Sequence, residues 1–232
     1  MCGRYILREA TRAARYFALE RSTWQFPGSY NIAPTDQVPV VRIGKDGVRE
    51  GLMMRWGLIP FFAKGQPPKY STINATVEKL ETAPTWRGPW ERGRRCIIPA
   101  DGFYEWHLEP DGRKQPYFIE LSDQSLFGFA GVWDGSRRED GTVVRSCAIV
   151  TLPGNALLRE IHNTGANPFR MPAILRPEQH ALWLSGAASE AKSTLLPYPD
   201  EVMHAYRVST RVNTPKNNDP QLIEAVEPAT GD

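Results

Sequence analysis

The chain has 232 residues, 41% of them hydrophobic and 23% charged, with a formal net charge of +2. That length supports one globular domain with a substantial core, and the near-neutral balance excludes a strongly polybasic or acidic protein while leaving room for a local basic cleft. The three cysteines, Cys2, Cys96 and Cys147, are too few and too far apart for a disulfide framework. No Cys or His spacing fits a zinc site, so no metal or cofactor is expected.

In chain order, "LREATRAARYFALE" at 7–20 places Leu7, Ala10, Ala14 and Phe17 on one face of a predicted helix. "SYNIAPTDQ" reads as a turn-rich loop. "VPVVRI" and "VREGLMMRW" read as strands joined by a Gly-Lys-Asp-Gly turn. "GLIPFFAKGQPPKY" is a Pro/Gly/aromatic loop, and "NATVEKLETA" a short helix that Asn74 could cap. "RRCIIPADGFYEWHLEPDGRKQPYFIEL" reads as strand, turn, strand, hairpin and strand, and "LFGFAGVWDG" and "TVVRSCAIVTL" as further strands. "NALLREIH" is a helix ending at His162, "RMPAIL" a strand, "PEQHALWL" a helix with Pro at its start and "EVMHAYRVS" a last strand, before a polar tail expected to fray. The whole is one α+β, strand-rich domain over 1–223, with a tail at 224–232.

Five stretches carry candidate chemistry. "MCGRY" opens the chain, and Cys2 is small enough for aminopeptidase removal of Met1. Cys2 would then offer an α-amine and a thiol on adjacent carbons, a pair that closes a five-membered thiazolidine on an aldehyde. In "PADGFYEWH", strand alternation sends Phe103, Glu105 and His107 to one face and Tyr104 and Trp106 to the other. Glu105 is either an edge carboxylate facing water or a desolvated acid/base. His162 either caps its helix or shuttles protons, and Asn74 either caps or hydrogen-bonds a substrate. Phe61 and Phe62 are core residues or, if exposed beside arginines, a platform for bases.

"MCGRY", "YNIAPT", "MRWGLIP", "INA", "RRCIIPADGFYEW", "IH…RMPAIL" and "STRVNTPKNNDPQLI" occur in this order from Cys2 to about Ile223. Together they closely resemble the SRAP family, the SOS-response-associated peptidases or abasic-site processing proteins. The resemblance implies a compact domain with a barrel-like sheet and a few short helices. It implies that Cys2 is the nucleophile and that Asn74, Glu105 and His162 complete the active site. Arg4 and Arg170 match phosphate-holding positions, and Asn31 and Pro34 match a loop beside the abasic nucleotide. Phe62 stands where the family often has a base-wedging tryptophan. Thr76 replaces a family arginine, and "NTGANPF" is an insertion between His162 and Arg170.

The implied activity is a covalent crosslink to abasic sites in single-stranded DNA, with lyase activity and a role in the DNA damage response. A thiol (auto)peptidase that removes its own Met1 is the second class, and a non-covalent single-strand binder the third. The expected partners are single-stranded DNA with abasic sites and replication-fork proteins, with no membrane and a monomeric chain. Arg4, Arg8, Arg12, Arg15 and Arg21 suggest a transit peptide, but Glu9 and Glu20 oppose it. A reduced, cytoplasmic compartment is expected, with nucleoid association when DNA is bound.

Overall fold

Short β-branched and aromatic runs, punctuated by Gly, Pro and Asp, give this chain many strands and few helices. The computed structural model describes residues 2–227, so Met1, whose removal was anticipated, and the tail residues 228–232 lie outside the described residues. β1 (Arg4–Leu7) leads into α1 (Ala10–Tyr16), β2 (Arg21–Ser22), β3 (Ser29–Ile32), β4 (Gln37–Ile43) and β5 (Arg49–Trp56). A loop with a 3-10 turn at Phe61–Ala63 precedes β6 (Asn74–Thr76) and α2 (Pro84–Glu91). Next come β7 (Arg95–Ala100), β8 (Gly102–Leu108), β9 (Lys114–Leu121), β10 (Phe127–Arg137) and β11 (Val143–Pro153). α3 (Ala156–Ile161), β12 (Arg170–Pro172), β13 (Ile174–Leu175), α4 (His180–Ser185), α5 (Ala188–Ser193) and β14 (Met203–Arg207) complete the order.

Two sheets share the work. The smaller runs β14-β9-β8-β1-β3 and the larger β12-β11-β10-β7-β4-β5-β2. In the larger, β11 also pairs in parallel with β5, Ser146 opposite Arg55 and Cys147 opposite Trp56. That pairing closes β5, β4, β7, β10 and β11 into a ring, which removes the open edges between them. The expected strand-rich α+β domain with a barrel-like core is therefore the observed one. Trp56, Cys96, Phe129 and Cys147 are fully buried in the main core. A smaller cluster of Ile6, Tyr104, Phe118, Val208, Val212 and Leu222 lies apart from it, with Trp106 packed against it. β8 separates the two clusters as its alternation requires: Phe103 joins the first and Tyr104 the second.

Several elements differ from the sequence reading. The helix expected over 7–20 is only Ala10–Tyr16, because Leu7 completes β1, and its buried face runs through Ala13 and Phe17. "SYNI" is strand β3 where a loop was expected, paired with β1. "NAT" is strand β6 where a helix was expected, and a 3-10 turn at Val77–Lys79 follows it. Asn74 therefore caps nothing. Its strand is fixed by parallel pairing with β11, Asn74 opposite Ile149, a contact no local pattern announces. Part of the tail is bonded: Ala225 bridges Val208, and the Val226 N–H donates to the Arg207 carbonyl at 2.9 Å.

Candidate functional site

β1 carries the site's first residue to its place. Its antiparallel register on β8 sets Arg4 opposite Tyr104 and Tyr5 opposite Phe103, so the residues before Arg4 run toward Glu105. The Cys2 side chain is fully buried, and Sγ lies 3.7 Å from the Arg4 carbonyl oxygen. Burial pushes the Cys2 thiol well up, and the Glu105 carboxylate pushes it further. The thiol is therefore protonated at neutral pH.

β6 supplies Asn74. Its Nδ2 donates to the Cys2 carbonyl oxygen at 3.0 Å, tying the start of the chain to the barrel. Asn74 Oδ1 is buried and has no hydrogen-bond partner among the described residues, so one acceptor remains for an incoming donor. β8 supplies Glu105, 3% exposed. Burial pushes its carboxyl up, while the positive amino terminus and the Trp106 N–H, 3.3 Å from Oε1, oppose the rise. That environment suits proton transfer.

His162 follows α3 and is 4% exposed. Its Nδ1 lies 3.1 Å from the Arg170 N–H and 3.2 Å from the Arg170 carbonyl oxygen, so the Arg170 backbone meets this nitrogen in either neutral tautomer. Burial, then the positive amino terminus, lowers the imidazole from 6.5 to about 4. His162 is thus neutral at pH 7. The insertion loops out over 163–169 and brings Arg170 back beside the histidine; Phe169 N–H donates to the His162 carbonyl at 2.7 Å.

A cavity of about 420 Å³ adjoins these groups, lined by Glu105, Trp106, Lys114, His162, Asn213 and residues 164–167 of the insertion. Lys114, Asn167 and Asn213 were not singled out by the sequence. Asn213 reaches the site from the far end of the chain and accepts from Trp106 Nε1 at 2.8 Å.

The remaining predicted residues lie around this centre rather than in it. Arg4 is half-buried and donates from Nη1 to the Gly3 carbonyl at 3.0 Å. Arg170 forks onto Glu78, Nη1 to Oε1 at 2.7 Å and Nη2 to Oε2 at 2.9 Å. A phosphate on Arg170 must compete with that carboxylate, which no sequence motif foretold. Asn31 is buried, and its Nδ2 donates to the carbonyls of Val212, Thr214 and Asn217. Its amide hydrogens hold the C-terminal segment. Pro34 is half-buried just beyond β3. Phe62 is 52% exposed and lines a separate groove of about 510 Å³ with Lys64, Gln66 and Arg138. Cys96 and Cys147 are free thiols in the barrel core.

Among the described residues, no three His, Cys, Asp or Glu side chains are arranged to hold a metal ion. No helix among them is long and apolar enough to cross a membrane.

Comparison with known proteins gives a consistent result. Residues 1–215 match the family described as SOS response associated peptidase (SRAP). Abasic site processing protein YoqW of Bacillus subtilis (strain 168) is 38% identical over 232 residues, covering 97% of this chain and 100% of that protein. Abasic site processing protein HMCES of Pongo abelii is 30% identical, over 98% of this chain and 77% of that one. A crystal structure of a Bacteroides thetaiotaomicron protein superposes with a TM-score of 0.85 at 26% identity, covering 97% of this chain and 100% of its own. One from Bordetella bronchiseptica gives 0.77 at 29% identity, covering 90% and 100%. With sequence and fold matched over nearly its whole length, the chain belongs to the SRAP family.

Proposed function

We propose that this protein processes abasic sites by joining its N-terminal cysteine to the lesion's aldehyde in single-stranded DNA. The observation that carries the reading is the convergence on Cys2: Asn74 anchors its carbonyl and the Glu105 carboxyl acts on its thiol. Relatives matching nearly all of this chain are named abasic site processing proteins, which supports the same substrate.

Once Met1 is removed, the Cys2 α-amine is the first nucleophile. With an ordinary α-amine pKa, about a tenth of it is neutral at pH 7. It attacks the C1′ aldehyde of the ring-opened sugar to give a carbinolamine. Loss of water gives a protonated Schiff base. The thiol then adds to the imine carbon: a C–S bond forms, the C=N π electrons return to nitrogen, and the thiol proton leaves. The product is a thiazolidine, and no oxidant or reductant is needed. Ring closure removes the iminium that would drive strand cleavage by β-elimination.

Glu105 takes the proton from the ammonium and later from the thiol, and returns it when the ring opens. A carboxyl pushed up by burial does both better than an ordinary one. Neutral His162 hydrogen-bonds the opened sugar, and Asn74 Oδ1 accepts from the amine or a sugar hydroxyl. Arg4 and Arg170 hold flanking phosphates, so binding weakens with salt.

A thiol peptidase is disfavoured by the same electrostatics. Such enzymes work through a thiolate–imidazolium pair. Here the Cys2 thiol is pushed up and His162 is pushed down to about 4, so both are neutral.

The test is intact mass after incubation with an abasic single-stranded oligonucleotide. The adduct should equal protein lacking Met1 plus DNA minus one water. Protein with Met1 retained or tagged should form none, and a heat-stable adduct on tagged protein sinks the thiazolidine. Cys2→Ser should stall at a Schiff base that borohydride traps and should cleave more strand per adduct. Full activity in Cys2→Ser would leave only non-covalent binding.

A further inference from the structure

Phe61 and Phe62 are each 52% exposed, with rings edge to face at 5.5 Å. Large aromatics left in water usually sit on mobile loops or join an interface. These two are held rigidly. The Ile59 N–H donates to Ser146 Oγ at 2.7 Å, the Phe61 N–H to Asp134 Oδ2 at 2.9 Å and the Gly65 N–H to Ser136 Oγ at 2.8 Å. All three acceptors are fully buried on the β10–β11 hairpin, where Asp134 and Ser146 are cross-strand partners.

Asp134 does more than accept one N–H. It pairs with Arg94, and Arg92 Nη2 lies 3.6 Å from its Oδ2. The Arg92 guanidinium in turn sits 4.8 Å from the centre of the Phe61 ring. One buried carboxylate thus fixes the backbone of the aromatic turn and places the cation that covers its first ring. A carboxylate with no solvent exposure is costly and is retained only where its partners match it closely.

We propose that Asp134 is a positioning residue for single-strand binding: it pre-forms the Phe61–Phe62 turn, whose second ring stands where the family often carries its base-wedging tryptophan, so that an undamaged base stacks on it. The proposal rests on single-stranded DNA being the ligand, as argued above. Stacking of a base on an aromatic side chain is worth about 1–3 kcal/mol, and a pre-ordered platform keeps that energy from being offset by ordering the loop.

The diagnostic is the sign of the effect. Asp134→Asn makes the protein one unit more positive, which by charge alone tightens binding to DNA. The wedge predicts the opposite. Affinity for an undamaged oligonucleotide carrying 2-aminopurine, measured by anisotropy, should fall about tenfold, the effect of losing about 1.4 kcal/mol of stacking. The fluorescence change that reports stacking should disappear. The loss should appear in the half-saturating DNA concentration for adduct formation rather than in the saturated rate. In a Phe61→Ala/Phe62→Ala background, Asp134→Asn should no longer weaken binding. Ser136→Ala keeps every charge and should weaken binding a few-fold, so it decides the matter if Asp134→Asn does not fold. Unchanged or tighter binding, or an equal loss in the background lacking both phenylalanines, overturns the wedge. Wild-type protein that binds and stacks but forms no adduct would refute the crosslinking reading and leave this one standing.

Discussion

Lowering the pH should destabilise this protein through His162, by an amount the burial of the ring sets. The folded imidazole titrates near 4, against 6.5 when unperturbed. At about 1.4 kcal/mol per decade, that difference is worth about 3 kcal/mol. Because the folded value is depressed, this stability is fully present above about pH 6.5, falls as the pH drops, and is gone below about 4; at pH 5 about 2 kcal/mol has been lost. Glu105 has the opposite sign, since its raised carboxyl gains protons on acidification while folded, so the total pH dependence is ambiguous and a difference is needed. His162→Asn keeps an acceptor for the Arg170 N–H but does not titrate. The unfolding free energy of wild type minus that of His162→Asn, from urea curves, should shrink by about 2 kcal/mol between pH 7 and pH 5. NMR titration of the His162 ring should give a midpoint near 4. At pH 7 only about one ring in a thousand is then imidazolium. The ratio of adduct rates for the two proteins should therefore be flat from pH 8 to pH 5. A ring midpoint between 6 and 7, or equal pH slopes for the two proteins, would refute the reasoning.

Glu105→Gln should slow adduct formation and reversal by ~10²–10⁴-fold in a time course on an abasic strand. It should also be more stable than wild type at pH 7 but not at pH 4, because a raised carboxyl contributes its stability below the unfolded pKa and loses it as pH rises; equal urea midpoints at pH 7 would contradict that. Asn74→Ala leaves the Cys2 carbonyl without its donor and should cost about 1–3 kcal/mol in urea unfolding and slow the adduct; a normal rate would remove Asn74 from the site. Cys96→Ala, a small cavity in the barrel core, should cost on the order of 1 kcal/mol by thermal melting and leave the adduct yield unchanged.

How far the sequence reaches can be traced residue by residue. Alternation in "FYEWH" correctly sends Phe103 to one core and Tyr104 to the other, because a strand's period is local. "NATVEK" fails for the same reason: Asn74 ahead of "TVEKLET" has the look of a helix cap, and only the distant strand β11 makes it a strand. Helix α2 was not anticipated, since Gly88 and Pro89 inside "PTWRGPWE" break the local preference; tertiary packing of Trp86 and Trp90 overrides it. Asp134 was invisible because "WDG" has turn chemistry, yet it lies mid-strand in β10. Glu78 opposite Arg170 and Asn213 at the cavity wall are long-range contacts of the same kind. The resemblance motifs named Cys2, Asn74, Glu105 and His162, and the fold gathers those four around the start of the chain, with Asn31 and Phe62 further out.

The segment that Asn31 fastens has a consequence for how the protein is made. Asn213 closes one wall of the cavity beside Glu105, and its stretch of chain is tied down by the Asn31 amide and by Asn218, which accepts from the Tyr30 N–H. Cys2 and Asn213 lie 211 residues apart in the chain, so a ribosome delivers the first long before the second. At about 5–20 residues per second, on the order of ten to forty seconds separate the two. Under the function proposed above, the aldehyde-reactive end waits through that interval with no finished cavity wall beside it.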